Sequence, residues 1–355
     1  MAHKSADNTP RRVLVTRFSA LGDVAMTIPV LYSVALCNPA TQFIFVTRSS
    51  MTGMFVNPPS NVTVRGIDLN DPRYKGLTGV NRLYGDLRRE YDFDAVADLH
   101  DVLRTHILDL RARLGGIRVA RLNKGRSQKR SLTRSTNKVM LPLTSQRARY
   151  REVFYRLGLV VENKFNSLYP EGGGPVDLFA EITPPKAPGE KWIGIAPFAK
   201  HKGKIYPLHL MEKVVDHFAA MPSVKIFLFG GGKEEADVLG DWAARFPHTV
   251  SLASKRHGFA VELSLLSHLD VMVSMDSANM HLASLVRTPV VSIWGATHPY
   301  CGFRGWRQAD SDIVQLSMTC RPCSVFGDKP CHRADYHCLA GIAPQIIIDK
   351  VSRHL

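Results

Sequence analysis

Short runs rich in apolar and β-branched residues recur along the chain, at positions 13–16, 43–46, 62–64, 95–99 and 117–120, and each reads as a strand. Amphipathic stretches near 24–36, 80–90, 102–113 and 146–157 carry the spacing of helices. Strand and helix therefore alternate, which implies a mostly parallel sheet. A stretch rich in glycine and proline then interrupts the pattern at 171–190, and beyond it the alternation resumes. Strands are predicted at 192–196, 224–229, 271–274 and 290–294, with helices near 207–220, 233–246, 262–268, 278–286 and 344–355. The expected organisation is an N-terminal doubly wound domain over 1–175, a linker over 176–190, a second doubly wound domain over 191–340, and a final helix over 341–355. Ligands of such sheets bind beyond the carboxyl ends of the strands.

Length and charge narrow the class. With 355 residues, 45% of them hydrophobic, the chain has material for about two domains on a prior of ~150 residues each. No apolar run approaches the ~18 residues of a spanning helix, and the opening MAHKSADNTPRR is polar, so the expectation is a cytoplasmic protein without a leader. The 46 Lys and Arg against 31 Asp and Glu leave a net charge of +15, which suits an anionic partner without specifying one. Eleven Lys and Arg lie between positions 104 and 138 with a single acid, Asp109. That run is an anion-binding surface or a solvated loop. It lacks interleaved aromatics for stacking on bases, and no DNA-binding motif is visible, so nucleic acid is not expected.

Four stretches carry candidate chemistry. The first strand runs into Arg17-Phe18-Ser19-Ala20-Leu21-Gly22-Asp23, where Asp23 either caps a helix or acts as a general base at the sheet edge; spacing does not choose between them. After the strand at 271–274 comes Asp276-Ser277-Ala278-Asn279-Met280-His281, with small residues opening a helix whose amides suit a phosphate. Asp276 is expected to begin that helix, and Ser277 and His281, four apart, to share a face. Lys200, Lys202 and Lys204 crowd the loop before Pro207, as a flexible basic loop or a diphosphate site. Gly230-Gly231-Gly232 with Glu234 and Glu235 is neither GxGxxG nor a Walker loop, although an acid after such glycines can hold a ribose.

Together and in this order, these stretches resemble glycosyltransferase family nine, the ADP-heptose:lipopolysaccharide heptosyltransferases. Asp98-Leu99-His100 to Arg104-Thr105, Lys204-Ile205-Tyr206-Pro207 and Gly295-Ala296-Thr297-His298-Pro299 add to the match. The resemblance implies a GT-B architecture, two Rossmann-like α/β domains facing across a cleft with the final helix packing back toward the N-terminal domain, and inverting transfer of a sugar, heptose from ADP-heptose, to an anionic inner-core glycolipid. It makes Asp23 the base. It gives Lys204, Asp276, Ser277, Ala278 and His281 to the donor diphosphate site, to which the cluster of lysines adds Lys200, and Glu234, ahead of Glu235, to the ribose. It puts Arg104 on the acceptor side, to which the basic run adds Arg126, Lys129 and Arg130, with peripheral contact at the cytoplasmic face of the inner membrane. None of the four stretches carries a DxD motif that would supply a divalent metal, and no metal is required for the reaction. Alanine at 278 stands where many members of the family have glycine, which predicts a slightly different amide turn. The alternatives are a transferase for another nucleotide sugar and a non-catalytic nucleotide-sugar binder.

Four of the six cysteines, Cys320, Cys323, Cys331 and Cys338, cluster with His332 and His337 between them. In a cytosolic chain this spacing suits free thiols, the preferred reading, with a structural zinc on these four cysteines as the alternative.

Overall fold

The computed structural model describes residues 9–355; positions 1–8, on which much of the leader expectation rests, lie outside the described residues. The chain forms two compact units, residues 1–125 with 144–166 and residues 126–143 with 167–355. The first contains β1 (Arg12–Thr16), α1 (Leu21–Ala25), α2 (Ile28–Cys37), β2 (Gln42–Arg48), β3 (Val62–Ile67), α3 (Gly76–Tyr91), β4 (Ala95–Asp98), α4 (Leu103–Leu114) and β5 (Arg118–Arg121). The chain then leaves this unit as α5 (Arg126–Leu132) and returns to it as α6 (Gln146–Arg156). The second unit continues with β6 (Lys191–Ala196), α7 (Leu208–Ala219), β7 (Val224–Leu228), α8 (Lys233–Arg245), β8 (Thr249–Ser251) and α9 (Phe259–Leu266). It is completed by β9 (Val271–Met275), α10 (Ala278–Leu285), β10 (Val290–Ile293), β11 (Ile313–Val314), α11 (His337–Ala340) and α12 (Pro344–Ser352).

Both sheets are parallel, in the orders β3-β2-β1-β4-β5 and β11-β10-β9-β6-β7-β8. The central strands are covered by helices, so β4 and β9 are buried at every position and their sequences read as apolar runs rather than alternations. The fold class is therefore the expected α/β one, with two doubly wound sheets. One predicted helix is broken: 24–36 is α1 and α2, because Pro29 in the first turn of α2 has no N–H to continue the ladder from α1. The short edge strands β8 and β11 and the basic helix α5 were not foreseen, being too short or too polar to show periodicity.

The domain boundaries differ from the sequence expectation in three places. The stretch at 176–190 is no linker: Gly174 N–H donates to Ser267 Oγ (2.8 Å), Ser264 Oγ to Pro175 O (2.7 Å), and Phe179 packs edge-on to Trp192, all within the second unit. The basic segment 126–143 also belongs to that unit, not to the N-terminal one. There Lys138 Nζ donates to the carbonyls of Thr319 (3.3 Å), Cys320 (2.7 Å) and Pro322 (3.0 Å), and Leu143 N–H to Tyr300 O (2.9 Å). The final helix α12 spends its apolar face inside the second unit, where Ile347, Ile348 and Val351 share a core with Met211 and Val215 of α7. Among the described residues no helix is long and apolar enough to cross a membrane.

Asp98, fully buried at the end of β4, shapes the turn into α4. Its Oδ1 accepts from the N–H groups of His100 (2.8 Å) and Asp101 (3.0 Å), and its Oδ2 from Thr105 Oγ1 (2.8 Å). Asp98→Ala leaves these donors unpaired in the interior, and a loss of about 2–4 kcal/mol in chemical denaturation is expected. A change below ~0.5 kcal/mol would show that the turn does not depend on this carboxylate.

Candidate functional site

In each sheet the crossovers diverge beside the first strand, between β1 and β4 in one and between β6 and β9 in the other. These switch points open a crevice at the carboxyl ends of the strands. The candidate residues lie at those ends.

In the first unit, Arg17 to Ala20 lead from β1 into α1, and Asp23 stands in the first turn of that helix. Asp23 is not its cap; Ala20 is, without a side-chain bond. The carboxylate instead reaches back, with Oδ2 at 2.7 Å from Nη2 of the buried Arg17, whose Nη1 donates to Leu99 O at 2.7 Å. One oxygen of Asp23 is thus fixed, Oδ1 is left to an incoming donor, and the side chain keeps about a quarter of its exposure. His100, beyond β4, stands beside the same turn. Phe18 N–H points to its Nδ1 (3.5 Å), which assigns the proton to Nε2 and makes Nε2 the donor to Ser19 Oγ (3.2 Å). Burial, and then the charges of Arg17, Lys124 and Arg48, hold its pKa down to about 3, so it is neutral in ordinary buffers.

In the second unit, the loop after β6 brings Lys204 to the end of β9. Lys204 Nζ lies 3.0 Å from Asp276 Oδ2, which also accepts from Thr297 Oγ1 at 2.9 Å. Close backbone packing places the lysine. Gly203 O accepts from Ala296 N–H (2.8 Å), and a Cβ at Gly203 would come to 2.9 Å from Ala296 Cβ and 3.0 Å from Gly327 O. The stem of Lys204 lies over Gly327, whose φ of +78° suits glycine. The loop carrying Thr297 is held by the buried Arg321, which donates to the carbonyls of Trp294 (3.0 Å), Gly295 (2.5 Å) and Thr297 (2.9 Å).

Asp276 precedes α10 and does not begin it; Ser277 is the N-cap residue, extended at φ −137°, and its hydroxyl lies 3.2 Å from that of Ser274. Ala278 opens α10 with an ordinary helical φ, so the methyl fits the amide turn without strain. His281 is buried in the helix's first turn and a half. The other two lysines go elsewhere: Lys202 sits over the Tyr336 ring at 5.3 Å, and Lys200 is exposed. In the loop before α8, Glu235 Oε2 accepts from Gly231 N–H (2.8 Å), whereas Glu234 is exposed in the first turn.

The expected acceptor-side residues divide. Arg104, in the first turn of α4, donates to Tyr74 O at 3.1 Å in the first unit. Arg126, Lys129 and Arg130 lie on α5 in the second unit, with Lys129 Nζ 4.9 Å from the centre of the Phe303 ring, so they do not belong to the N-terminal domain as expected. Cys320, Cys323, Cys331 and Cys338 line one small cavity with His332 and His337. Burial raises the thiols of Cys323 and Cys338, the latter to about 11. No group of three or more His, Cys, Asp or Glu among the described residues is arranged to hold a metal ion.

Arg17 and Thr297 stand in motifs quoted from the sequence but had no role assigned there, and Gly203 was not singled out. Arg17 had a signal, a charge directly after a buried strand; Thr297 and Gly203 act through contacts that only the fold creates.

The family model of glycosyltransferase family 9 (heptosyltransferase) matches residues 81–330. The chain is 21% identical to lipooligosaccharide heptosyltransferase 2 of Campylobacter jejuni over 94% of its own length and 96% of that protein. Among solved structures it is similar to the E. coli ADP-heptose lps heptosyltransferase II (TM-score 0.71, 16% identity, 97% and 98% of the two chains). It is also similar to an E. coli heptosyltransferase solved with ADP (TM-score 0.64, 15% identity, 97% and 100%). A match over most of the chain, on two sheets of the same kind, makes this protein a glycosyltransferase enzyme that belongs to glycosyltransferase family 9.

Proposed function

We propose that the protein transfers a heptose from ADP-heptose, with inversion, to the anionic inner core of a lipopolysaccharide, working at the cytoplasmic face of the membrane. The observation that carries this reading is a paired carboxylate and cation at the switch point of each sheet, Arg17–Asp23 in one and Lys204–Asp276 in the other. The names of the similar proteins, heptosyltransferases that include one solved with ADP, support the choice of donor and acceptor.

An inverting displacement needs a base on the acceptor hydroxyl and stabilisation of the charge that leaves on the other face of the anomeric carbon. Asp23 is the base. Arg17 holds Oδ2 and so aims Oδ1 at the hydroxyl, while neutral His100 and Ser19 line the same turn. Lys204 takes the departing diphosphate. Of its three N–H donors one is spent on Asp276, which leaves two for phosphate oxygens, and Asp276 and Thr297 keep the ammonium from swinging away. The first amides of α10, with Ser277, add neutral donors at a positive helix end, and His281 backs them. Lys200 extends the cationic rim. Glu234 accepts from the ribose hydroxyls, Glu235 being committed to Gly231. Arg104, Arg126, Lys129 and Arg130 meet phosphates and carboxylates of the acceptor.

Three outcomes are expected. Asp23→Asn lowers turnover by about 10²–10⁴-fold while ADP binding, followed by calorimetry, is retained; undiminished turnover removes Asp23 as the base. Lys204→Ala weakens ADP binding by roughly 10- to 100-fold with little effect on acceptor KM, and unchanged ADP affinity contradicts the diphosphate role. Dialysis against a chelator leaves turnover unchanged, since lysine and helix amides supply the stabilisation; loss that magnesium restores would overturn that part of the reading.

A further inference from the structure

Helix α4 has two apolar faces. Thr105, Leu108, Asp109 and Ala112 form the buried one, against the first sheet. On the opposite side Leu103, Leu110 and Leu114 are 74%, 57% and 73% exposed, with half-buried Ile107 between them. At about 100° per residue these four positions fall within an arc of about 60°, a stripe about 17 Å long. An outward helix face is ordinarily polar, and single exposed leucines are unremarkable; an aligned set is not.

The flanks of the stripe are cationic on both sides, Arg111 along one edge and Arg113 along the other, while Arg104, on the Arg111 edge, is tied to Tyr74 O. The one acid of the helix, Asp109, is buried and paired with Arg121 at 2.7 Å, so it does not offset them at the surface. Leucines pointing outward between arginines whose long stems reach past them is the pattern of a helix lying in the interface of an anionic bilayer, with apolar tips below the head groups and guanidiniums on the phosphates. Charge decides the occupant. A second copy of this chain docking stripe to stripe would set arginine rows against each other, whereas anionic lipid complements them.

We infer that the outward face of α4 is the surface by which this protein sits on an anionic membrane. This inference rests on the proposed work at the membrane and gives that contact a specific helix. It also separates two roles that the basic run merged, since α5 lies in the other unit.

The test is co-sedimentation of the full chain with vesicles of phosphatidylglycerol and phosphatidylethanolamine, and with vesicles of phosphatidylcholine alone. The parent protein should bind the anionic vesicles and not the neutral ones. Combined Leu103→Ser, Leu110→Ser and Leu114→Ser should lower binding by about tenfold or more at every salt concentration, with an unchanged melting temperature because these side chains face outward. Arg111→Ser with Arg113→Ser should weaken binding at low salt and much less at high salt. Undiminished vesicle binding by the triple variant overturns the inference. So does a parent that binds no vesicles, or one that dimerises through this face and becomes monomeric in the triple variant. Turnover on a delipidated, soluble acceptor keeps the two readings apart: its absence counts against the proposed transferase, while the vesicle result alone judges the helix.

Discussion

The ion pair between Lys204 and Asp276 is the constraint around which the second unit is arranged. Both side chains are mostly shielded from water, so neither is tolerable without the other: an isolated charge there would cost several kcal/mol, and only close geometry offsets the desolvation. Meeting that geometry requires the loop after β6 to approach the loops after β10 and β11 closely enough that Gly203 and Gly327 have no room for a side chain. It also requires Arg321 to organise the carbonyls around Thr297. The first unit solves the same problem more simply. Arg17 is anchored on a carbonyl from the neighbouring strand's end, and a short helix delivers Asp23 to it. In both units parallel strands leave chemistry only one place to go, the carboxyl ends where the crossovers part.

Much of the positive charge serves the interior. Lys138 is spent on three carbonyls, Arg121 on Asp109, Arg104 partly on Tyr74, and Arg321 on the loop that carries Thr297. A net charge of +15 therefore overstates what faces a ligand. What does face outward falls into distinct sets: the cation beside Asp276, the basic helix α5, and the arginines that border the leucines of α4. These belong to different kinds of anion, a diphosphate at close quarters and a broad negative surface.

The alternation of strand and helix, the two sheets and the order of the motifs were legible along the chain because fully covered parallel strands read as unbroken apolar runs. Asp276 and Ser277 were legible for a related reason, standing immediately after such a run, and Asp23 and Lys204 because they sit in the turns that lead from a strand into the next helix. The errors have a common origin. Asp276, expected to begin a helix, stands before it, and the glycine- and proline-rich stretch, expected as a linker, packs on α9 and Trp192. In each case local sequence described the backbone adequately, and a residue distant in sequence decided the role. The exposed leucines of α4 show the converse, since their helical spacing was visible but not which of two apolar faces the sheet would bury.

By itself, then, the sequence determined the fold class, the order of the elements and the residue types available at the strand ends, because periodicity, turn residues and strand composition are local properties. The tertiary structure decided which charges pair, which lysine of three is held beside Asp276, to which unit the basic segment belongs, and which face of α4 is left to solvent. Those outcomes depend on contacts between segments tens to hundreds of residues apart, where burial makes an ion pair or a hydrogen bond worth keeping and exposure leaves a side chain for something else to bind.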